Sequence, residues 1–321
     1  MIYMDGIIYQ LQSGGGISVL FNELMARLPK RMYEFHEPSH RLFERYRDVA
    51  IRGQYSAFHS TYYRVPDSKR LPVITTVHDF TYERYAKGMR RGIHTWQKHR
   101  AIRRAQAVIC VSESTRADLL NFVPSVEESA VVVIPNGVSE DYAPLNVPVE
   151  EQVLFVGARG GYKNFRSLVR AVSGLSDLEL VCVGGGAFNS LELAELERLM
   201  PGRYRHAGFL TNEQLNLEYN RSLCLVYPSC YEGFGIPVLE AMRAGCPVIA
   251  VNVSSIPEIA GDAALLLERG DPDEIAAAIV RLQQTEQRMR YCKRGLEQAA
   301  RFSWASTCEK TIDVYRNFYV G

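Results

Sequence analysis

The 321-residue chain has almost no net charge, with 37 Lys and Arg against 36 Asp and Glu. That balance argues against nucleic acid as the main partner, because a phosphate backbone is held by a basic excess. No apolar run approaches the roughly 20 residues that a bilayer-crossing helix needs, so any membrane contact is expected to be peripheral. The opening residues MIYMDGIIYQ lack a basic segment followed by an apolar one; no export signal is read, and a cytoplasmic location is expected. Seven cysteines are scattered without CxxC spacing, which excludes the common zinc and dithiol redox motifs and fits reduced thiols acting as small hydrophobes. His36 and His40 are four apart, but Pro38 between them weakens any helical ligand pair, and no metal is expected. Short repeats and low-complexity tracts are also missing.

What is present suits an ordinary globular protein of two domains: 47% of residues are hydrophobic and 23% charged, enough to bury a core without staples. Short β-branched runs alternate with helical patterns, the signature of βα units and parallel sheets covered on both faces. In the first half the strand candidates are MIYMDGIIY, SAFHST, PVITTVHD, AVICVS and AVVVIP, with helices near 17–28, 90–104 and 112–120. In the second they are QVLFVG, LELVCVGGG, RHAGF, CLVYPS, CPVIAV and ALLLE, with helices near 164–174, 190–199, 211–220, 237–244 and 272–284. The stretch 135–152 is rich in Pro, Asn and Gly and reads as a linker. The α/β fold class is therefore two Rossmann-like, doubly wound domains, 1–148 and 149–303, facing one crevice. A closing helix over 304–321 carries Trp304, Ile312, Tyr315 and Phe318 near one face.

Charge is uneven along the chain: residues 1–148 hold 19 basic against 15 acidic side chains. Most of the excess lies in 84–104, with eight basic residues, no acid and Trp96. On a helix this stretch suits an anionic lipid surface or a phosphorylated acceptor; a solvated helix face is the competing reading.

The stretch YEGFGIPVLEAMRAGCPVIA, residues 231–250, carries the most chemistry. Pro237 suits the first position of a helix whose free N–H groups point back at Phe234, Gly235 and Ile236, forming an anion site. Gly233 and Gly235 let the backbone approach a ligand closely. Glu240 inside the helix is also explained by the helix dipole. Glu232, eight residues earlier on the turn, serves neither the helix nor a core. Around it, at the ends of predicted strands, fall Gly14, Gly15 and Gly16, His78 and Asp79, and Arg159, Gly161 and Lys163, where open α/β sheets bind ligands.

The E-x7-E spacing from Glu232 to Glu240 resembles the donor-binding motif of the family 4 retaining glycosyltransferases of GT-B fold. The likeness extends through FVGARGGYKNFRSLVRA, AGFLTNEQLNLEYNRS, SSIPEIAGDAALLLERGDPDEIAAAI, VSESTRADL and IPNGV. It implies a nucleotide sugar bound mostly by the second domain, with the closing helix returning to the first. By this resemblance Glu240 accepts from the ribose hydroxyls and Glu232 faces the donor sugar. The backbone from Gly233 through Phe234, Gly235 and Ile236 holds sugar and phosphate, and Leu210 in GFLTNEQ lies by the nucleotide base. Arg159 and Lys163 neutralise the diphosphate as the glycosidic bond breaks. Gly15 and Gly16 resemble the loop that closes over the phosphates, and His78 the histidine that contacts the donor sugar near its reacting carbon. The sequence departs from the commoner pattern at Ala158, which stands where the arginine usually follows the glycine; Arg159 comes one residue later.

The implied reaction is a hexosyl transfer with retained anomeric configuration, by front-face substitution in which the leaving diphosphate helps remove the acceptor proton. The acceptor would be a glycan or lipid-linked glycan in bacterial surface polysaccharide synthesis, and the donor a UDP-, GDP- or dTDP-sugar. A metal is not needed if Arg159, Lys163 and helix N-termini carry the phosphate charge, and no DxD triplet of the metal-dependent GT-A kind is present; no cofactor is expected beyond the donor. A GT-B sugar epimerase or phosphorylase, or a nucleotide-sugar-binding regulator without turnover, fits the same architecture.

Overall fold

The computed structural model describes residues 1–12, 14–39 and 41–319, with only the backbone of Arg90. His40, of the weak histidine pair, and Ser13, beside the glycine run, lie outside the described residues. The chain divides into two units, Met1–Gly137 with the segment from Ser303 onward, and Val138–Phe302.

The first unit is a six-stranded parallel sheet of β1 (Ile2–Asp5), β2 (Tyr33–His36), β3 (Ala57–Ser60), β4 (Val73–Val77), β5 (Ala107–Cys110) and β6 (Val131–Val133), in the order β2-β1-β3-β4-β5-β6. Five of these fall inside the expected runs. The sixth, β2, was not expected: YEFH is a short edge strand of which only Tyr33 is buried, so it lacks the apolar signature of a central strand. The run expected as one long first strand stops at Asp5, and Ile8–Leu11 turns helical, with the Ile8 N–H donating to Thr61 Oγ1 at 2.9 Å. The helix Glu113–Phe122 starts where its cap predicts, Ser112 Oγ accepting from the Thr115 N–H.

The closing helix, Trp304–Arg316, belongs to this unit. Trp304, Cys308, Val314 and Tyr315 enter the same core as Ile2, Met4, Phe21 and Ile74, and Tyr315 Oη bonds the ring of buried His59 at 2.8 Å. Gly137 is needed at the crossing: a Cβ there would sit 2.2 Å from the Trp304 nitrogen.

The second unit is another parallel sheet: β7 (Gln152–Val156), β8 (Glu179–Val183), β9 (Tyr204–Gly208), β10 (Cys224–Tyr227), β11 (Val248–Val251) and β12 (Leu265–Leu267), ordered β12-β11-β10-β7-β8-β9. All six match the expected runs: β7, β8, β10 and β11 are interior and almost wholly buried, while the edge strands β12 and β9 are partly exposed. Strand order reverses between β7 and β10, so the loops after these two strands frame the place where such sheets bind ligands. The change of unit at Gly137/Val138 falls inside the expected linker, 135–152. Residues 138–148 pack on this unit rather than bridging, with the Ala143 and Leu145 N–H groups donating to Asn216 and Asn220 side chains at 3.1 and 2.6 Å. The helix Thr285–Ala299 was also missed; little more than Tyr291, Gly295, Gln298 and Ala299 are buried, too sparse an apolar stripe to read.

Candidate active site

The loop after β7 and the loop after β10 meet at the strand-order reversal. They are tied by the Cys230 N–H donating to the Tyr162 carbonyl at 2.7 Å. Gly157 and Gly161 take positive φ of 120° and 50°, and a Cβ on either would meet nothing within 4 Å, so the backbone here is open on one side. Lys163 reaches from the first loop to the second, and its Nζ donates to Glu232 Oε1 at 2.5 Å and approaches Tyr227 Oη at 3.5 Å. Both side chains of this pair are mostly buried. Burial alone lowers a lysine's pKa; Tyr227 and Glu232 reverse the sign and hold Lys163 above its ordinary value.

The Glu232 turn is held by two serines that sequence reading did not single out. Ser254 Oγ accepts from the Glu232 N–H at 2.8 Å, and Ser255 Oγ donates to the carbonyls of Glu232 and Phe234 at 3.1 and 2.8 Å. Gly235 caps the helix Ile236–Arg243 with φ 105°, a conformation that glycine adopts without strain. A Cβ there would lie 2.9 Å from Ile256 Cδ1.

Glu240 sits in the second turn of that helix, beyond the first turn where the helix dipole acts, so the dipole does not explain it. Its Oε2 accepts from Tyr219 Oη at 3.0 Å. Burial pushes its carboxyl up to about 7, against the lowering effect of hydrogen bonds from Tyr219 and Tyr142. Both tyrosines lie far from the motif in sequence, and no spacing rule pointed to them.

Arg159 does not join Lys163. Its guanidinium is buried and donates to the carbonyls of Gly184, Gly186 and Ala187 at 3.1, 2.7 and 2.9 Å, with Glu192 at 3.3 Å from Nε and the Phe188 ring 4.7 Å away. The one-residue displacement past Ala158 thus turns the side chain into an anchor for the loop after β8. Arg159 has backbone partners of its own, whereas Lys163 pairs with Glu232. Leu210 is half-buried in the loop after β9, next to the exposed Phe209, and precedes the capped helix Asn212–Arg221.

In the first unit, Gly15 caps the helix Gly16–Arg27, with the Gly15 carbonyl accepting from Ser18 Oγ at 2.9 Å. His78 directly follows β4 and is buried; its Nε2 has no hydrogen-bond partner. Burial lowers its pKa to about 4, so the ring is neutral at pH 7. Asp79 caps the next helical turn by accepting from the Thr81 N–H at 2.8 Å. The described residues contain no group of three or more His, Cys, Asp or Glu side chains placed to hold a metal ion.

Two parallel doubly wound sheets, the second with carboxylates and a cation at its strand-order reversal, define the class of GT-B glycosyltransferases. Two solved structures share the fold: Anabaena HepE in complex with UDP and glucose (TM-score 0.76, 16% identity, 98% of each chain) and WaaG, a glycosyltransferase of lipopolysaccharide biosynthesis (TM-score 0.75, 15% identity, 98% of this chain and 99% of that one). The sequence models "Glycosyltransferase Family 4" and "Glycosyl transferases group 1" match residues 14–142 and 143–298. O-antigen chain mannosyltransferase B of Escherichia coli is 32% identical over 267 residues, 76% of this chain and 70% of that protein. Alpha-maltose-1-phosphate synthase of Mycobacterium tuberculosis is 30% identical over 282 residues, 77% and 73% of the two chains. The chain belongs to glycosyltransferase family 4, and its reaction is hexosyl transfer.

Proposed function

We propose that the protein moves a hexose from a UDP-, GDP- or dTDP-sugar to a glycan or lipid-linked acceptor in bacterial surface polysaccharide synthesis, retaining anomeric configuration and using no metal or cofactor. The observation that carries this reading is the Lys163–Glu232 pair at the β7/β10 reversal, beside a helix N-terminus and with Glu240 on the same helix. Glu240 accepts from the ribose hydroxyls, for which a two-oxygen acceptor is suited. The backbone from Gly233 to Ile236, at a helix start, binds phosphate through N–H groups. Lys163 neutralises the diphosphate as the glycosidic bond breaks, and Glu232 orients that ammonium and faces the sugar. His78 offers its unpartnered Nε2 to a sugar hydroxyl. Arg159 acts through the loop it anchors rather than on the phosphates. The leaving diphosphate takes the acceptor proton on the face where the new bond forms, which preserves configuration. Incubating the protein with a sugar-nucleotide panel and following nucleoside diphosphate release, with and without glycan acceptor, tests this. Acceptor-dependent release is expected from one donor; rearranged sugar without release, or no binding at all, would overturn it.

The basic stretch gives the same reading a surface. Half of its charges are engaged internally: Arg84 with Asp118, Lys98 with Glu83 at 2.6 Å, Arg100 with Asp48 at 2.6 Å, and Arg104 with the carbonyls of Ser68, Lys69 and Leu71. Lys87, Arg91 and Arg103 remain exposed, and on the same helix, Gly88–Arg104, Met89, Ile93 and Trp96 are 86%, 49% and 57% exposed at spacings of four and three. No described helix is long and apolar enough to cross a membrane. An exposed apolar stripe flanked by cations and free of acids suits peripheral contact with anionic lipid at the inner membrane surface. Trp96 reports on this directly, since the only other tryptophan, Trp304, is buried. Its emission is expected to shift to the blue on phosphatidylglycerol vesicles and to stay unchanged on phosphatidylcholine; equal spectra with both would remove the proposal.

A further inference from the structure

Lys163 is carried by a segment with little stiffness of its own. Three of the five residues from 157 to 161 are glycine, and the single turn Gly161–Lys163 that follows is too short to hold itself. Two ties from outside fix it. On one side the Cys230 N–H donates to the Tyr162 carbonyl at 2.7 Å; on the other, the Arg159 side chain leaves the segment for the loop after β8. Its Nη1 donates to the Gly184 carbonyl at 3.1 Å, and its Nη2 to those of Gly186 and Ala187 at 2.7 and 2.9 Å.

The seat of this guanidinium matches its shape and not only its charge. The side chain is 3% exposed, and its head stands 4.7 and 5.9 Å from the ring centroids of Phe188 and Phe165, the latter part of the core of this unit. Nε faces Glu192, which also accepts from the Asn189 N–H at the start of the helix Ser190–Leu199. The loop that it grips does not define itself either, because Gly184, Gly185 and Gly186 all take positive φ, 74°, 71° and 76°. That loop lies directly on the segment that carries Lys163. The Gly157 N–H donates to the Val183 carbonyl at 2.9 Å, and a Cβ on Gly185 would sit 2.6 Å from the Gly157 carbonyl oxygen and 3.1 Å from Arg159 Nη1. Three carbonyls converging on one planar fork select arginine; a lysine carries the same charge but does not span them.

We propose that Arg159 is a positioning residue for hexosyl transfer: by locking the loop after β8 onto the loop after β7, it holds the Lys163 ammonium where charge develops on the departing diphosphate. The inference rests on the role given to Lys163 above and adds the residue that keeps it in place. A displacement of about 1 Å at such a contact costs about 10²-fold in rate. Because the diphosphate charge grows only as the bond breaks, the loss falls on kcat rather than on binding.

The test compares the full chain with Arg159→Lys, Arg159→Met and Gly185→Ala, the last of which wedges the same contact open with Arg159 in place. Amide hydrogen exchange, calorimetric binding of UDP, GDP and dTDP, and steady-state turnover of the sugar nucleotide that the wild type uses are measured on each. In all three variants the amides of 157–163 and 184–188 are expected to exchange at least about tenfold faster while the strands stay protected, and kcat to fall at least about tenfold. Donor KM and nucleoside diphosphate affinity should stay within about threefold, and Arg159→Lys should be nearly as slow as Arg159→Met. Should Arg159→Met lose strand protection, the two milder variants decide. Full turnover in Arg159→Lys, or nucleotide affinity lost in Arg159→Met and kept in Arg159→Lys, would mean that the charge acts on the donor and would overturn the inference. Faster exchange with unchanged kcat would overturn it as well, leaving Arg159 a purely structural anchor. Lys163→Met separates this inference from the reading beneath it: wild-type turnover there defeats both, whereas turnover lost there and kept in the Arg159 and Gly185 variants defeats the inference alone.

Discussion

Glu240→Gln is expected to stabilise the second unit at pH 8 while weakening nucleoside diphosphate binding by about tenfold or more. Burial raises this carboxyl from an ordinary 4.5 to about 7. A raised acid favours the folded state fully below its unfolded pKa, and that contribution is lost as pH rises through the folded one. Between about pH 4.5 and 7 the ionised form therefore becomes a cost, reaching about 3 kcal/mol above pH 7. The glutamine keeps the shape and the Tyr219 hydroxyl contact but never ionises. Its advantage over the wild type should be near zero at pH 4.5 and full at pH 8, as read from denaturant midpoints at the two pH values. Ligand binding runs the other way, because the ionised carboxylate is the stronger acceptor for two ribose hydroxyls. Wild-type affinity for the preferred nucleoside diphosphate should accordingly rise between pH 6 and 8. A variant with unchanged nucleotide affinity, or a stability difference independent of pH, would show that Glu240 is a structural carboxylate.

Lys163→Met will separate the fold from the chemistry when combined with a second change. Alone it leaves Glu232 mostly buried beside an apolar group, and breaking a buried pair in this way costs about 3–5 kcal/mol. It also removes the cation assigned to the departing diphosphate, a loss of about 10²–10³ in turnover for one electrostatic donor. Adding Glu232→Gln removes the stranded charge, so the double variant should recover most of the lost stability. It should recover none of the transfer. Urea denaturation and acceptor-dependent release of nucleoside diphosphate measure the two quantities independently. Restored turnover in the double variant would mean that Lys163 serves only to neutralise Glu232.

The sheets were legible because parallel strands covered on both faces must be apolar along their length, and QVLFVG, LELVCVGGG and CLVYPS satisfy that wherever they sit. The edge strand Tyr33–His36 escaped because an edge is half-solvated and carries no such run. The change of unit falls inside the expected linker, 135–152, but Asn, Pro and Gly mark only irregular backbone and not which unit supplies its hydrogen-bond partners. In the site, Glu232, Lys163 and Glu240 were visible because a turn, a glycine pair and a helix start fix local geometry within a few residues. Arg159 was not, since its side chain is long and its carbonyl partners lie 25 to 28 residues away. Tyr219, Ser254 and Ser255 went unseen for the same reason.

Local pattern by itself determined two α/β units and a glycine-bearing turn at 232–237 that leads into a helix start. Tertiary structure alone decided which charges pair. It set Lys163 on Glu232, withdrew Arg159 into the loop after β8 and enclosed Glu240 with tyrosines. The physical reason is one of range: backbone propensity and periodicity act over a turn or a strand, whereas ion pairing and burial depend on side chains that only the completed fold brings together.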